Sequence, residues 1–131
     1  MDKKIVEERG CQSFVKVFPQ LPLIDAATKI TQSDAVFLPI SRVFKGQIPV
    51  KLYDYIAAKK PIIMVNGEGS EAESILRETE SGKNAESIQE IKLLIDEVVL
   101  DSISCSFDKE KRYSRHTQSV RLFNLLKSIT D

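Results

Sequence analysis

The chain has 131 residues, and its 19 Lys plus Arg balance 19 Asp plus Glu, so the formal net charge is zero. That balance argues against a general electrostatic grip on nucleic acid or on an anionic membrane. Hydrophobic residues make up 42 % and charged residues 29 %, which fits one folded domain and excludes a disordered composition.

The start, Met1–Gly10, is charged and has no signal-peptide core. Ile5 and Val6 sit between charges, and Gly10 reads as a helix C-cap, so a helix is expected over residues 2–9. Ser13-Phe14-Val15-Lys16-Val17-Phe18 is aromatic and β-branched and is closed by Pro19, which predicts a strand. Pro19-Gln20-Leu21-Pro22 is a rigid turn. Ile24, Ala27 and Ile30 predict a short helix over about 23–32. Asp34-Ala35-Val36-Phe37-Leu38 is apolar on both faces and predicts a buried parallel strand. Residues 40–49, with Arg42, Lys45, Gly46, Gln47 and Pro49, read as a loop, and Val50–Ala58 as a helix with Leu52, Tyr53 and Ile56 on one side. Pro61-Ile62-Ile63-Met64-Val65 is a second buried strand, with proline at its first position.

The loop Asn66-Gly67-Glu68-Gly69 leads into a Ser-x-x-Glu capping pattern at Ser70–Glu73 and a helix over about 71–79. Lys83-Asn84-Ala85 is a very short strand or a loop. A second capping pattern, Ser87–Glu90, opens a helix with Ile88, Ile91, Leu94, Ile95 and Val98 in its apolar stripe. A polar stretch, 101–112, separates it from a last helix, which starts after Ser114 and carries Val120, Phe123, Leu126 and Ile129. Strands alternating with helices predict an α/β sandwich with a mostly parallel sheet. Ligands of such sheets bind beyond the carboxyl ends of the strands, here the loops 39–50 and 66–70.

No apolar run approaches the roughly 18 residues of a membrane span. Cys11 and Cys105, the only cysteines, have no metal-like spacing and read as free thiols of a reducing compartment, which predicts a cytoplasmic location. The single histidine, His116, excludes any site that needs two.

One segment carries more specific information. Ile48-Pro49-Val50-Lys51-Leu52-Tyr53-Asp54-Tyr55-Ile56-Ala57-Ala58-Lys59-Lys60-Pro61 resembles the P-x-K-L-x-E-Y-x-A-x-x-K-P signature of GT-B glycosyltransferases of the retaining, family 4-like group. Ser33–Ile40 looks like that group's aDvfl-P strand, Gly67–Ala72 like its glycine loop and following helix, and Tyr113-Ser114-Arg115 like the opening of its terminal helix. Gly82 sits where a glycine ends the helix after the glycine loop. The matching pieces run in consistent order over about residues 10–129.

The resemblance implies a Rossmann-like three-layer sandwich, a partial donor-binding C-terminal domain over residues 1–131. It implies a nucleotide-diphosphate sugar as ligand, a role in surface polysaccharide synthesis, and neither cofactor nor metal. A partner GT-B domain and an acceptor at a membrane surface are compatible with it. The helix starting near Val50 would offer backbone N–H groups to a diphosphate, with Lys51 beside it. Asp54 matches the family carboxylate that holds the ribose hydroxyls, one methylene shorter. Phe18-Pro19-Gln20 occupies the base-recognition turn, and Gly67 and Glu68 belong to the glycine loop near the donor.

The sequence also departs from the family. The first of its paired glutamates falls at Gly46, and Val50 stands where Ser or Thr is common. The family's two opening strands and its phosphate-binding Arg and Lys have no counterpart here, and no catalytic residue is assigned. The expectation is therefore a chain that supplies part of a donor site and transfers no sugar alone.

Each residue has a plainer reading. Asp54 can be a surface carboxylate between Lys51 and Lys59, Tyr53 and Tyr55 packing residues, and Glu68 and Glu71 solvent or cap groups. Lys109, Lys111, Arg112 and Arg115, balanced by Asp108 and Glu110, read as a solvated face. The alternative function is accordingly a non-catalytic α/β module that binds a phosphate ligand or a protein. Exposed apolar surface and self-association are expected. The 13–18 strand is expected to pair directly with the 36–38 strand, or else to leave that strand's edge open to another chain.

Overall fold

The computed structural model describes residues 3–107 and 109–130. The chain is a mixed α/β protein built on a small parallel sheet. Its elements run α1 (Lys3–Glu8), α2 (Leu23–Gln32), β1 (Val36–Pro39), α3 (Val50–Ala57), β2 (Ile62–Val65), α4 (Glu71–Glu78), β3 (Gly82–Ala85), α5 (Ile88–Val99), a 3-10 turn (Glu110–Tyr113) and α6 (Arg115–Thr130). The strands lie in the order β1-β2-β3, all parallel, with Val36 opposite Ile62 and Ile62 opposite Gly82. Asp2 of the expected first helix and Asp108 of the charged run lie outside the described residues.

Two apolar layers sandwich this sheet. On one face Leu38, Ile40, Ile62 and Met64 pack with Leu52 and Ile56 of α3 and Ala72, Ile75 and Leu76 of α4. On the other, Ile63 and Ala85 pack with Leu94 of α5, and Val65, Ile91 and Val98 join them. β2 is central and is buried on both faces, which is why its four residues are continuously apolar. β3 approaches β2 so closely that a Cβ at Gly82 would collide with the Ile62 carbonyl. Gly82 therefore belongs to the sheet and does not end α4. That helix ends instead on Glu80 at φ 49°, with Ser81 N–H donating to Leu76 O at 3.2 Å.

This six-to-one closure recurs. Cys11 N–H donates to Val6 O after Gly10, Lys60 N–H to Tyr55 O after Lys59, and Ser102 N–H to Glu97 O after Asp101. Each pivot residue has positive φ, so four helices end in the same left-handed cap, three of them without glycine. The helix starts follow their capping patterns. Ser70 Oγ accepts from Glu73 N–H at 3.0 Å, and Ser87 and Glu90 form a reciprocal capping box. Thr79 and Ser81, both buried, satisfy each other at 2.8 Å.

The expected strand at 13–18 does not form. Cys11 O instead accepts from Phe14 and Val15 N–H, making a turn, and Phe14 is 76 % exposed. β-branched and aromatic residues favour a strand only where an edge receives them, and β1 is a poor receiver. Val36 N–H donates to Pro61 O and Ile40 N–H to Val65 O, so the alternation of the strand turns Phe37 and Pro39 to its free side. Proline has no N–H to offer there. The predicted pairing of the two segments is thus replaced by an open β1 edge. β1 is also not buried on both faces, because Phe37 is 49 % exposed.

Lys109, Lys111, Arg112 and Arg115 are all exposed, as the solvated-face reading expected, but neighbours of the run tie it to the helices. Lys59 pairs with Glu110 at 3.0 Å, and Glu78 takes both Arg112 and the Tyr113 hydroxyl. These contacts, with Tyr113 tilted against Tyr53 at 6.1 Å between ring centroids, fix the 3-10 turn on α3 and α4. Among the described residues no helix is long and apolar enough to cross a membrane.

Candidate functional site

Three of the sequence-derived candidates meet in one groove of about 860 Å³. Phe18, Leu21, Leu23 and Ile30 form one wall, and Lys51, Asp54 and Tyr55 of α3 the other. Lys51 and Asp54 are three residues apart, which puts them on one helical face. Asp54 is exposed, and its carboxylate, together with burial as the larger cause, raises the Tyr55 phenol above its ordinary pKa. Phe18 does not offer both faces of its ring, because Lys29 Nζ stands 4.0 Å from the ring centroid.

Val50 opens α3 and is 72 % exposed. Leu52 N–H turns back to Pro49 O at 3.0 Å, and no side chain caps the helix, so the N–H groups of Val50 and Lys51 stay at its open end. Gln20 is exposed in the irregular segment before α2, where no regular turn is formed, and does not line the groove.

Gly67 and Glu68 belong to a second assembly, at the carboxyl ends of the strands. Three successive amides of this loop already have side-chain acceptors. Gly67 N–H donates to Asn84 Oδ1 at 2.9 Å, Glu68 N–H to Glu86 Oε1 at 2.8 Å, and Gly69 N–H to Glu73 Oε2 at 2.9 Å. Asn84 Nδ2 completes the pattern with a 2.7 Å bond to Glu86. A Cβ at Gly67 would strike Met64 Sδ and Asn84 Oδ1, so a larger residue there would have to shift the buried Met64 side chain and the Asn84 amide.

Two cations of the 40–49 loop close the assembly. Arg42 donates to Asn66 Oδ1 at 2.7 Å and 3.1 Å, and Lys45 to Glu68 O at 2.7 Å. Glu86 is held below the usual carboxylate range by the Asn84 bond first and by Glu68 N–H second, with Arg42 and Lys45 adding to it against the cost of burial.

No family model, no curated protein and no solved structure matches the chain. The chemistry must therefore be read from the residues themselves. The groove offers one carboxylate, Asp54, and the lysines Lys16, Lys29 and Lys51 beside apolar walls, a set able to hold a polyhydroxylated anion, whereas Val50 at the open start of α3 does not line it. The glycine loop offers amides that are already bonded, so an anion would enter only by displacing Glu86 or Glu73. Among the described residues no three His, Cys, Asp or Glu side chains gather for a metal ion.

Arg42 and Lys45 lie in the 39–50 loop that the sequence placed at the strands' carboxyl ends but were given no role there, and Asn84 and Glu86 were not singled out. The four stand up to 44 positions apart along the chain and meet only because parallel strands bring their carboxyl ends to one edge. Tyr53 serves as the packing residue its plainer reading described, and His116 is exposed on α6.

Proposed function

We propose that the chain supplies part of the donor site of a GT-B glycosyltransferase of the family 4-like group, binding a nucleotide-diphosphate sugar in a reaction of surface polysaccharide synthesis. The observation that carries the reading is the shared groove of Phe18, Lys51 and Asp54. These come from two segments that the resemblance assigns to one ligand, the base-recognition turn and the ribose-binding helix. In this reading the diphosphate sits at the open start of α3 with Lys51 beside it, and Asp54 accepts hydrogen bonds from the ribose hydroxyls. No residue is assigned to catalysis, and transfer requires a partner domain that brings the acceptor.

Titration with UDP, GDP and ADP, followed by amide NMR shifts, tests the assignment. The expected shifts centre on Phe18 and Val50–Asp54, and Asp54→Ala weakens binding about tenfold or more, the loss of a charge-assisted contact. Shifts centred elsewhere, or an unchanged response in Asp54→Ala, contradict it.

One observation favours the second reading, a non-catalytic interaction module. The glycine-loop amides are bonded to Asn84, Glu86 and Glu73, so the loop is finished without a ligand. Failure of all three nucleotides to shift any groove amide at millimolar concentration would select this reading.

A further inference from the structure

The glycine loop opens on Asn66-Gly67. The other asparagines, Asn84 before Ala85 and Asn124 before Leu125, are not followed by glycine. A glycine has no Cβ to crowd its own nitrogen and leaves the backbone free to turn. That nitrogen can therefore reach the preceding side-chain amide. The reaction is a ring closure. The Gly67 amide loses its proton to a solvent base, and the nitrogen's electron pair attacks Asn66 Cγ. The Cγ–Nδ2 bond breaks, the leaving nitrogen takes up a proton and departs as ammonia, and a cyclic imide remains. Water then adds to either imide carbonyl and breaks that carbonyl's bond to the ring nitrogen. One opening leaves aspartate. The other leaves isoaspartate, whose main chain runs through the former side chain and is longer by a methylene.

In the folded chain both reacting groups are held. Asn66 stands in the left-handed region at φ 59°, which asparagine tolerates, and its N–H donates to Ala85 O at 3.1 Å. Its Oδ1 accepts from Arg42 at 2.7 Å and 3.1 Å, which fixes the carboxamide against the 40–49 loop. The nucleophile is occupied as well. Gly67 is buried, and its N–H donates to Asn84 Oδ1 at 2.9 Å, away from solvent base. Arg42 also draws charge from the Asn66 carbonyl, but that helps only a nitrogen already free to attack. The product does not fit the loop. Asn66 N–H and Gly67 N–H are successive amides bonded to successive residues at the end of β3. A methylene added between them moves Gly67 off Asn84 and, beyond it, Glu68 N–H off Glu86.

We propose that Asn66–Gly67 is a covalent modification site, at which loss of ammonia and isoaspartate formation open the glycine loop, and that Arg42 and Asn84 hold it closed in the folded chain. The only co-reactant is water. Each hydrogen bond that must break before ring closure adds to the barrier, the more so where a charged donor or a buried amide is involved. The proposal is independent of the donor reading, since it uses neither α3 nor the Phe18 groove.

Warm incubation of the 131-residue chain at mildly alkaline pH, followed by ion-exchange separation and peptide mapping, tests it. The expected acidic product carries aspartate and isoaspartate at residue 66, and Asn66→Gln forms none. The folded chain should react about tenfold or more slowly than the same chain in urea, and Arg42→Ala and Asn84→Ala should each speed the folded reaction about tenfold, the loss of one such hydrogen bond. Arg42 is exposed, so thermal melting of Arg42→Ala should stay near that of the parent, which separates loss of the lock from loss of fold. In the isoaspartate form the Gly67 and Glu68 amide NMR shifts should move. A chain that reacts no faster in urea than when folded overturns the proposal. So does Arg42→Ala reacting at the parent rate or more slowly, the pattern of a guanidinium that activates the carbonyl. An isoaspartate form whose Gly67 and Glu68 amides keep their parent shifts overturns it equally.

Discussion

Ile62 and Met64 at the centre of the sheet and Leu122 and Ile129 on α6 are comparable in apolar character, yet the first pair is 0 % exposed and the second 57 % and 73 %. Between these extremes the molecule divides by burial. The segment from β1 to α5 closes two apolar layers around β2, with capped helices and ion pairs fixing its rim. The segment before β1 and the helix after Ser114 leave Phe14, Leu23, Ile24 and Phe123 between 66 % and 85 % exposed. Hydrophobicity alone therefore does not make a core. A neighbouring element must arrive with a matching face, and only β2 has neighbours on every side.

The sharpest way to break this comparison is to delete the same atoms in both regions. Leu52→Ala, at 0 % exposure between α3 and the sheet, should lower stability by about 3 kcal/mol. Leu125→Ala on α6 should change it by less than about 0.5 kcal/mol when measured by urea unfolding at low protein concentration. Similar losses at both positions would show that α6 is part of the same core.

Smaller effects sharpen the boundary of the closed region. Ser87→Ala removes half of the capping box that starts α5 and should cost about 1 kcal/mol. Asp101→Gly relieves the left-handed pivot at φ 52° after α5 and should add about 0.5 kcal/mol. A loss on Asp101→Gly would mean that the aspartate side chain contributes more than its backbone strain costs.

The smallest effect concerns pH. Glu86 is held low in the folded state, so its bond to Glu68 N–H stabilises the loop above the ordinary carboxylate range. That contribution disappears as pH falls through the lowered folded value. The Glu68 amide shift should therefore titrate below the ordinary carboxylate range in the parent chain and stay flat there in Glu86→Gln.

Much of the closed region was legible in the sequence for local reasons. The continuous apolar run Ile62–Val65 announced a strand buried on both faces, and Ser70–Glu73 and Ser87–Glu90 announced helix starts, because a cap is a contact between near neighbours in the chain. Ser13–Phe18 misled for the converse reason. Its strand propensity was real, but Pro39 lies on the β1 edge it was expected to join, a fact that depends on which way β1 turns. Gly82 resembled a helix stop and is a strand contact, a difference set by the distance between β2 and β3. In the candidate site, Lys51 and Asp54 could be grouped from their helical spacing. The loops that carry Arg42 and Asn66 were also grouped, through the expected parallel sheet, but Asn84 and Glu86 were not, because the short β3 that brings them there had been left open as a strand or a loop.

Amide hydrogen exchange, residue by residue and at two protein concentrations, tests the division most directly. The account predicts that Ile62–Met64 exchange only through global unfolding at either concentration. It also predicts that amides of Gln118–Ile129 are weakly protected in dilute solution. Equal, concentration-independent protection of α6 and β2 would contradict it.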